Sequence, residues 1–305
     1  MMSQTEIRDA LRPAAVAKVT PQTLLQSKRA FTPLTALTAY DYPTARLADE
    51  AGIDMILVGD SLGTAVLGYD NTLSVTMDDM LHHARAARRG TQRALLVVDM
   101  PYGSYQVSVE DAVRNGLRFF KESGSEAVKL EGGIAYVPHI KALTQSEIPV
   151  VGHIGLTPQS IHRMGGYRVQ GLSDAAATRL RDDAKALEEA GAIALVLEGI
   201  PRELAAQITN SISIPTIGIG AGPDCDGQIL VFHDLFSLSF TRKPKFVRSF
   251  GDGRLLMEQG IRDFRDAVVT RTFPDDRESY HMPKAEVSLE RSATSTKQRE
   301  LAACK

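Results

Sequence analysis

The chain has 305 residues, 43 % apolar and 24 % charged, the balance of a soluble globular protein with room for one large domain or two small ones. A net charge of −2 and an isoelectric point near 6.4 leave no basic field to hold a nucleic acid, so an anionic ligand has to be met by a metal or by individual Lys and Arg side chains. No run approaches the ~20 apolar residues of a membrane span, and two cysteines, Cys225 and Cys304, make no disulfide framework, which points to a reducing compartment, the cytoplasm.

In chain order, residues 1–30 read as an N-terminal arm and helix, with Glu6 and Asp9 where a secretory signal would be apolar. Short runs rich in Val, Ile and Leu then alternate with helical stretches. "LTALTAYD" (34–41) leads to the helix "PTARLADEAG" (43–52), and "DMILVGD" (54–60) to "MDDMLHHARAARRG" (77–90). "ALLVVDMP" (94–101) leads to "SVEDAVRNGLRFFKESG" (108–124). "EAVKLEGG" (126–133) and "IPVVGHIG" (148–155) precede "SDAAATRLRDDAKALEEAG" (173–191), and "AIALVLEG" (192–199) and "IPTIGIGAG" (214–222) complete the series. Continuous apolar runs bounded by turn residues are strands buried on both faces, as in a parallel sheet. Ser108 and Ser173 can cap the helices they precede, and all four helices end in Gly, the residue that closes a helix in the left-handed conformation.

Strand and helix repeat at intervals of roughly 20–45 residues, the rhythm of βα units. An open doubly wound sheet and a closed (β/α)8 TIM barrel both have that rhythm. Polar side chains gather at the carboxyl ends of several strands, and residues 31–273 come to about the ~250 residues of a barrel, so the barrel is preferred. Its eighth strand is expected around "VFHDLFSL" (231–238), and residues 274–305 read as a polar C-terminal arm, partly disordered.

At the strand ends stand Asp60 and Ser61, Asp99, Lys129 and Glu131, His153, and Glu198. Residues two apart in a strand share a side, so Lys129 and Glu131 point one way and Leu130 the other. Carboxylates converging on one mouth repel unless a cation sits among them, and oxygen-only ligation suits Mg²⁺ better than zinc. Such a metal would chelate a 2-oxo acid and acidify the C–H beside its carbonyl, with Lys129 and Ser61 on the substrate oxygens and Glu198 as general base. Each residue also has a structural reading. Asp60 can cap the next helix, Asp99 can open a turn, Lys129 and Glu131 can form an ion pair, and His153 can be a satisfied core histidine. "GIGAG" (218–222) has the look of a phosphate-cradling loop, with tight turn packing as its alternative.

The strings "TAYDYPTARLADEAGIDMILVGDSLG", "LLVVDMPYGSY", "AVKLEGG", "VVGHIGLTPQS", "LVLEGIP" and "IPTIGIGAGPDCDGQILVFHD" resemble the ketopantoate hydroxymethyltransferase family, in its order, over roughly residues 38–250. The resemblance implies a (β/α)8 barrel of the phosphoenolpyruvate mutase and isocitrate lyase type. It implies transfer of a hydroxymethyl group from 5,10-methylenetetrahydrofolate to C3 of 3-methyl-2-oxobutanoate through a Mg²⁺-stabilised enolate. Carried onto matching positions, it gives Asp60, Asp99 and Glu131 as metal residues, Asp60, Ser61, Asp99, Lys129 and His153 as substrate contacts, and Glu198 as proton acceptor. It further implies a homo-oligomer, commonly a decamer, acting on small molecules with no nucleic-acid or membrane partner. Two departures stand out, Ser74 where Pro is expected and Ser237 where Gly is usual. A Mg²⁺-dependent 2-oxo-acid lyase of the same superfamily, or a catalytically dead barrel used for binding, are the alternatives.

Overall fold

A computed structural model describes residues 17–240 and 243–282. The expectations placed on residues 1–16, on the chain beyond 282 and on Cys304 lie outside the described residues. Eight parallel strands close into a barrel in chain order. They are β1 Leu34–Thr38, β2 Met55–Val58, β3 Leu95–Asp99, β4 Ala127–Glu131, β5 Val150–Gly155, β6 Ala194–Glu198, β7 Thr216–Ile219 and β8 Gly227–Leu230. Pairing of β1 with both β2 and β8 closes the ring.

Alternation along each strand splits the apolar residues into two populations. Leu34, Ala36, Met55, Leu57, Leu95, Val97, Ala127, Val151, Ala194, Val196, Ile217 and Ile229 fill the barrel interior. Ile56, Leu96, Val98, Val128, Leu130, Leu195 and Leu197 face the surrounding helices. Helix α1, Pro21–Arg29, starts from a capping box between Thr20 and Thr23. Its Leu24 joins the interior cluster beside residues that begin the strands, so α1 covers the amino end of the barrel. Lys28 Nζ pins it there through Asp226 Oδ2 at 2.8 Å, as Lys18 Nζ pins the preceding residues through Glu126 Oε2 at 2.6 Å.

The outer helices are α2 Tyr42–Glu50, α3 Leu62–Ala65, α4 Met77–Gly90, α5 Val109–Arg118, α6 Val137–Gln145, α7 Ile161–Met164, α8 Asp174–Glu189, α9 Arg202–Ser211 and α10 Phe232–Leu235. Ser108 and Ser173 cap α5 and α8, accepting the Asp111 and Ala176 amides at 3.0 and 3.3 Å. Gly52, Gly124 and Gly191 close their helices at φ of 86°, 72° and 97°. Gly90 has another task, because it ends α4 against α2. A Cβ there would lie 2.5 Å from the Tyr42 carbonyl oxygen and 2.8 Å from the Arg46 nitrogen.

The eighth strand is Gly227–Leu230 and not 231–238, where the chain forms α10. The apolar residues Phe232, Leu235 and Phe236 have helical spacing, and the Phe232 and Phe236 rings meet at 4.9 Å. "GIGAG" does not open a helix, since the segment 220–226 runs directly from β7 to β8. There it packs on the sheet: a Cβ on Gly218 would meet Cys225 Sγ at 2.9 Å. Ser237, placed where Gly is usual, takes φ of 57°, the left-handed region that favours glycine. Nothing in the structure explains Ser74.

The chain divides into two compact units between Arg254 and Leu255. The second unit carries most of helix α11, Gly253–Val269, which buries none of its residues. No helix among the described residues is long and apolar enough to cross a membrane.

Candidate active site at the carboxyl ends of the strands

The two-residue period that fills the barrel interior also builds the site. Val97 is followed inward by Asp99, Ala127 by Lys129 and Glu131, Val151 by His153, and Val196 by Glu198. Apolar plug gives way to polar side chains at one level around the ring. Strand register then sets neighbours, with Asp99 beside Lys129 and Glu131 beside His153.

Asp60 lies outside that series, two residues past the end of β2. It does not cap α3, whose N-cap is Ser61 with no side-chain cap bond. Its backbone N–H donates to Asp99 Oδ2 at 3.0 Å. The turn that permits this needs Gly59, where a Cβ would stand 2.8 Å from Ser61 Oγ and 3.3 Å from Asp99 Oδ2. Ser61 Oγ shares a hydrogen bond of 2.9 Å with the buried Tyr40 hydroxyl.

Lys129 Nζ sits 2.8 Å from Asp99 Oδ1, with both side chains nearly sealed from solvent. The ion pair that Lys129 makes is with Asp99, not with Glu131 as its structural reading had it. Lys129 Nζ is also 3.3 Å from His153 Nδ1. His153 links the two glutamates, with Nδ1 3.6 Å from Glu131 Oε1 and Nε2 3.2 Å from Glu198 Oε2. Glu198 alone of these carboxylates keeps appreciable exposure, 16 % of its side chain, and stands at the open edge.

Four carboxylates here face one ammonium and one imidazole, and the ionisation equilibria record the imbalance. Burial, then the charges of Asp99 and Glu131, push the Asp60 carboxyl well above the usual range. Burial raises Asp99 as well, against the opposing pull of Lys129. Burial works against a charged Lys129, but Asp99, Glu131 and Asp60 outweigh it and hold its pKa above the ordinary value. Burial and Lys129 also act against a charged His153, yet Glu131 and Glu198 push it up to about 9. A cluster with surplus buried carboxylate oxygen fits a hard divalent cation, with Asp60 and Asp99 as its adjoining donors. Among the described residues, no three His, Cys, Asp or Glu side chains already form a metal-holding group. Glu131 turns one oxygen, Oε2, to the Gln159 N–H at 2.9 Å.

Every site residue expected from sequence therefore gathers at one end of the barrel. Two residues that bind this cluster together were not singled out, although both fall inside the quoted strings. Gln159, in the turn after β5, donates from Nε2 to Asp60 Oδ2 at 2.8 Å and to the Met100 carbonyl at 3.0 Å. Tyr105 donates to Gln159 Oε1 at 2.7 Å and accepts the Glu131 N–H at 3.2 Å. No spacing rule selects either residue, and their place in strings that resemble the family is the only signal the sequence carries for them.

A family model described as ketopantoate hydroxymethyltransferase matches residues 18–276. The chain is 59 % identical over 275 residues to 3-methyl-2-oxobutanoate hydroxymethyltransferase of Koribacter versatilis (strain Ellin345), covering 90 % of this chain and 93 % of that protein. Among solved structures it is similar to phosphonopyruvate hydrolase in complex with oxalate and Mg²⁺, with a TM-score of 0.54 at 16 % identity over 87 % of this chain and 92 % of that one. It is similar also to 2,3-dimethylmalate lyase, a member of the PEP mutase/isocitrate lyase superfamily, with a TM-score of 0.50 at 18 % identity over 88 % and 91 %. At those identities the structural likeness speaks for the fold alone.

Proposed function

The chain belongs to the ketopantoate hydroxymethyltransferase family, and from that premise we propose how its strand-end residues convert 3-methyl-2-oxobutanoate to ketopantoate. It is an enzyme, a one-carbon transferase; the donor we assign is 5,10-methylenetetrahydrofolate and the metal Mg²⁺. The observation that carries the assignment of roles is the surplus of buried carboxylates around one ammonium, with Glu198 at its open edge.

Asp60 and Asp99 would hold the metal, with Glu131 beside them as a further metal residue. When bound, Mg²⁺ supplies a Lewis acid that draws charge from the keto acid and makes its C3–H more acidic. Lys129 and the Ser61 hydroxyl meet the carboxylate and keto oxygens of the substrate. Lys129 stays charged for this task because three carboxylates outweigh its burial. Glu198 Oε2 takes the C3 proton, and His153 Nε2 at 3.2 Å holds that carboxylate in place. C3 then bonds to the methylene carbon of the folate as that carbon's two bonds to the folate nitrogens break; one water supplies the product's hydroxyl, and its proton and the C3 proton go to the nitrogens of the released tetrahydrofolate. The apolar interior below the site and α1 beneath it keep water from entering from the amino end.

The test is proton NMR of 3-methyl-2-oxobutanoate in D₂O with the purified protein. The expected result is loss of the C3–H signal only with Mg²⁺ present, then ketopantoate once methylenetetrahydrofolate is added. Folded, Mg²⁺-loaded protein giving neither exchange nor product would refute the reading and favour a lyase or a binding barrel.

Family membership also supports assembly into a homo-oligomer, a decamer by that resemblance. In α11, Leu256, Ile261 and Val269 are 76 %, 68 % and 70 % exposed, an apolar load that supports association. Sedimentation equilibrium should find a mass several times that of one chain; a monomer at micromolar concentration would count against it.

A further inference from the structure

We infer that Gln159 is a positioning residue that holds Asp60 and Glu131 apart and aims their remaining oxygens at the ligand they share. The inference rests on the assignment of those two carboxylates made above.

The amide has one orientation. Gln106 Oε1 accepts the Gly103 backbone N–H at 2.7 Å, which leaves Gln106 Nε2 as the group facing Gln159 Oε1 at 3.1 Å. Two donors, Gln106 Nε2 and the Tyr105 hydroxyl, thus converge on Gln159 Oε1. At the other end the Met100 carbonyl can only accept, so Nε2 must lie there and beside Asp60 Oδ2. The orientation is dictated by two backbone groups, an N–H and a C=O, that cannot exchange roles.

One residue thereby occupies one oxygen on each of two like-charged groups, Asp60 Oδ2 through its side chain and Glu131 Oε2 through its backbone N–H. A carboxylate oxygen tied to a fixed donor stops rotating, and its partner oxygen then has one direction to face. The donor is also neutral. A Lys or Arg in its place would cancel the surplus negative charge that a cation needs, whereas an amide steadies the carboxylate and leaves its charge in place. Gln159 is itself 8 % exposed and Tyr105 1 %, so water does not compete for these bonds.

The experiment compares wild type, Gln159→Leu and Tyr105→Phe, titrating Mg²⁺ alone by calorimetry and recording metal-free thermal unfolding. Gln159→Leu should weaken Mg²⁺ binding about 10–100-fold. Tyr105→Phe, which leaves the Gln106 and Met100 bonds in place, should weaken it about 2–10-fold and should add little on top of Gln159→Leu. A purely structural role would lower the metal-free midpoint while leaving Mg²⁺ affinity untouched, and that result would overturn the inference. If Gln159→Leu does not fold, Tyr105→Phe decides: unchanged Mg²⁺ affinity refutes the positioning role. Failure of the underlying assignment looks different, because wild type itself would then bind no Mg²⁺.

Discussion

Glu198→Gln should cut the exchange of the C3 proton of 3-methyl-2-oxobutanoate by about 10²–10⁴-fold, the range of a lost general base. Gln keeps the size of the side chain and an oxygen for His153 Nε2, now 3.2 Å from Glu198 Oε2, but has no basic lone pair at pH 7. Binding of the keto acid with Mg²⁺ should change little, because Glu198 lies at the open edge and away from the Asp60–Asp99 pair. A second readout separates a lost base from a damaged pocket. Burial and Lys129 oppose a charged His153, and Glu131 and Glu198 push it up to about 9; with Glu198 neutral, the imidazole of the metal-free protein should titrate lower. His153 shifted down with exchange at the native rate would mean that another group removes the proton.

The second large effect is expected at Asp60. In Asp60→Asn the acceptor for Gln159 Nε2 survives and one buried negative charge disappears. Mg²⁺ affinity should fall by more than the roughly 10–100-fold that loss of an outer partner costs. Metal-free stability should move the other way. Burial, Asp99 and Glu131 raise the Asp60 carboxyl above its unfolded value, so the folded chain binds the proton more tightly. Ionising Asp60 therefore costs folding free energy once the pH exceeds the unfolded pKa of about 3.9, and the cost grows until the pH passes the raised folded value. The Asn variant is free of that cost, so at neutral pH its metal-free melting midpoint should equal or exceed wild type. Wild type should gain stability with added Mg²⁺ and the variant should not. An undiminished Mg²⁺-dependent gain in the variant would remove Asp60 from the ligand set.

The two positions show in the sequence in different ways. Glu198 belongs to an inward series that alternation alone identifies, since Ala194 and Val196 precede it on the same side of β6. Asp60 is a carboxylate just after an apolar run, a signal equally consistent with a helix cap. The cap was ruled out by the turn itself, in which Ser61 takes the N-cap position and the Asp60 N–H goes to Asp99. The eighth strand shows the opposite case. Its four residues follow a connection too short for a helix, and the longer apolar run just beyond it belongs to α10.

What the sequence by itself determined is what depends on near neighbours: seven buried strands, helix caps at Ser108 and Ser173, and the side on which Asp99, Lys129, Glu131, His153 and Glu198 emerge. A period of two and a short-range cap need no knowledge of the rest of the chain. The strings that resemble the family added the chemistry those side chains perform. Tertiary structure decided who pairs with whom. Lys129 answers Asp99 and not Glu131 because strand register places it there. Gln159 reaches Asp60 across 99 positions of sequence, a contact that exists only once the barrel has closed. A neutral amide has no local pattern that predicts such a partner, since its role comes from the fixed donors and acceptors the fold puts around it.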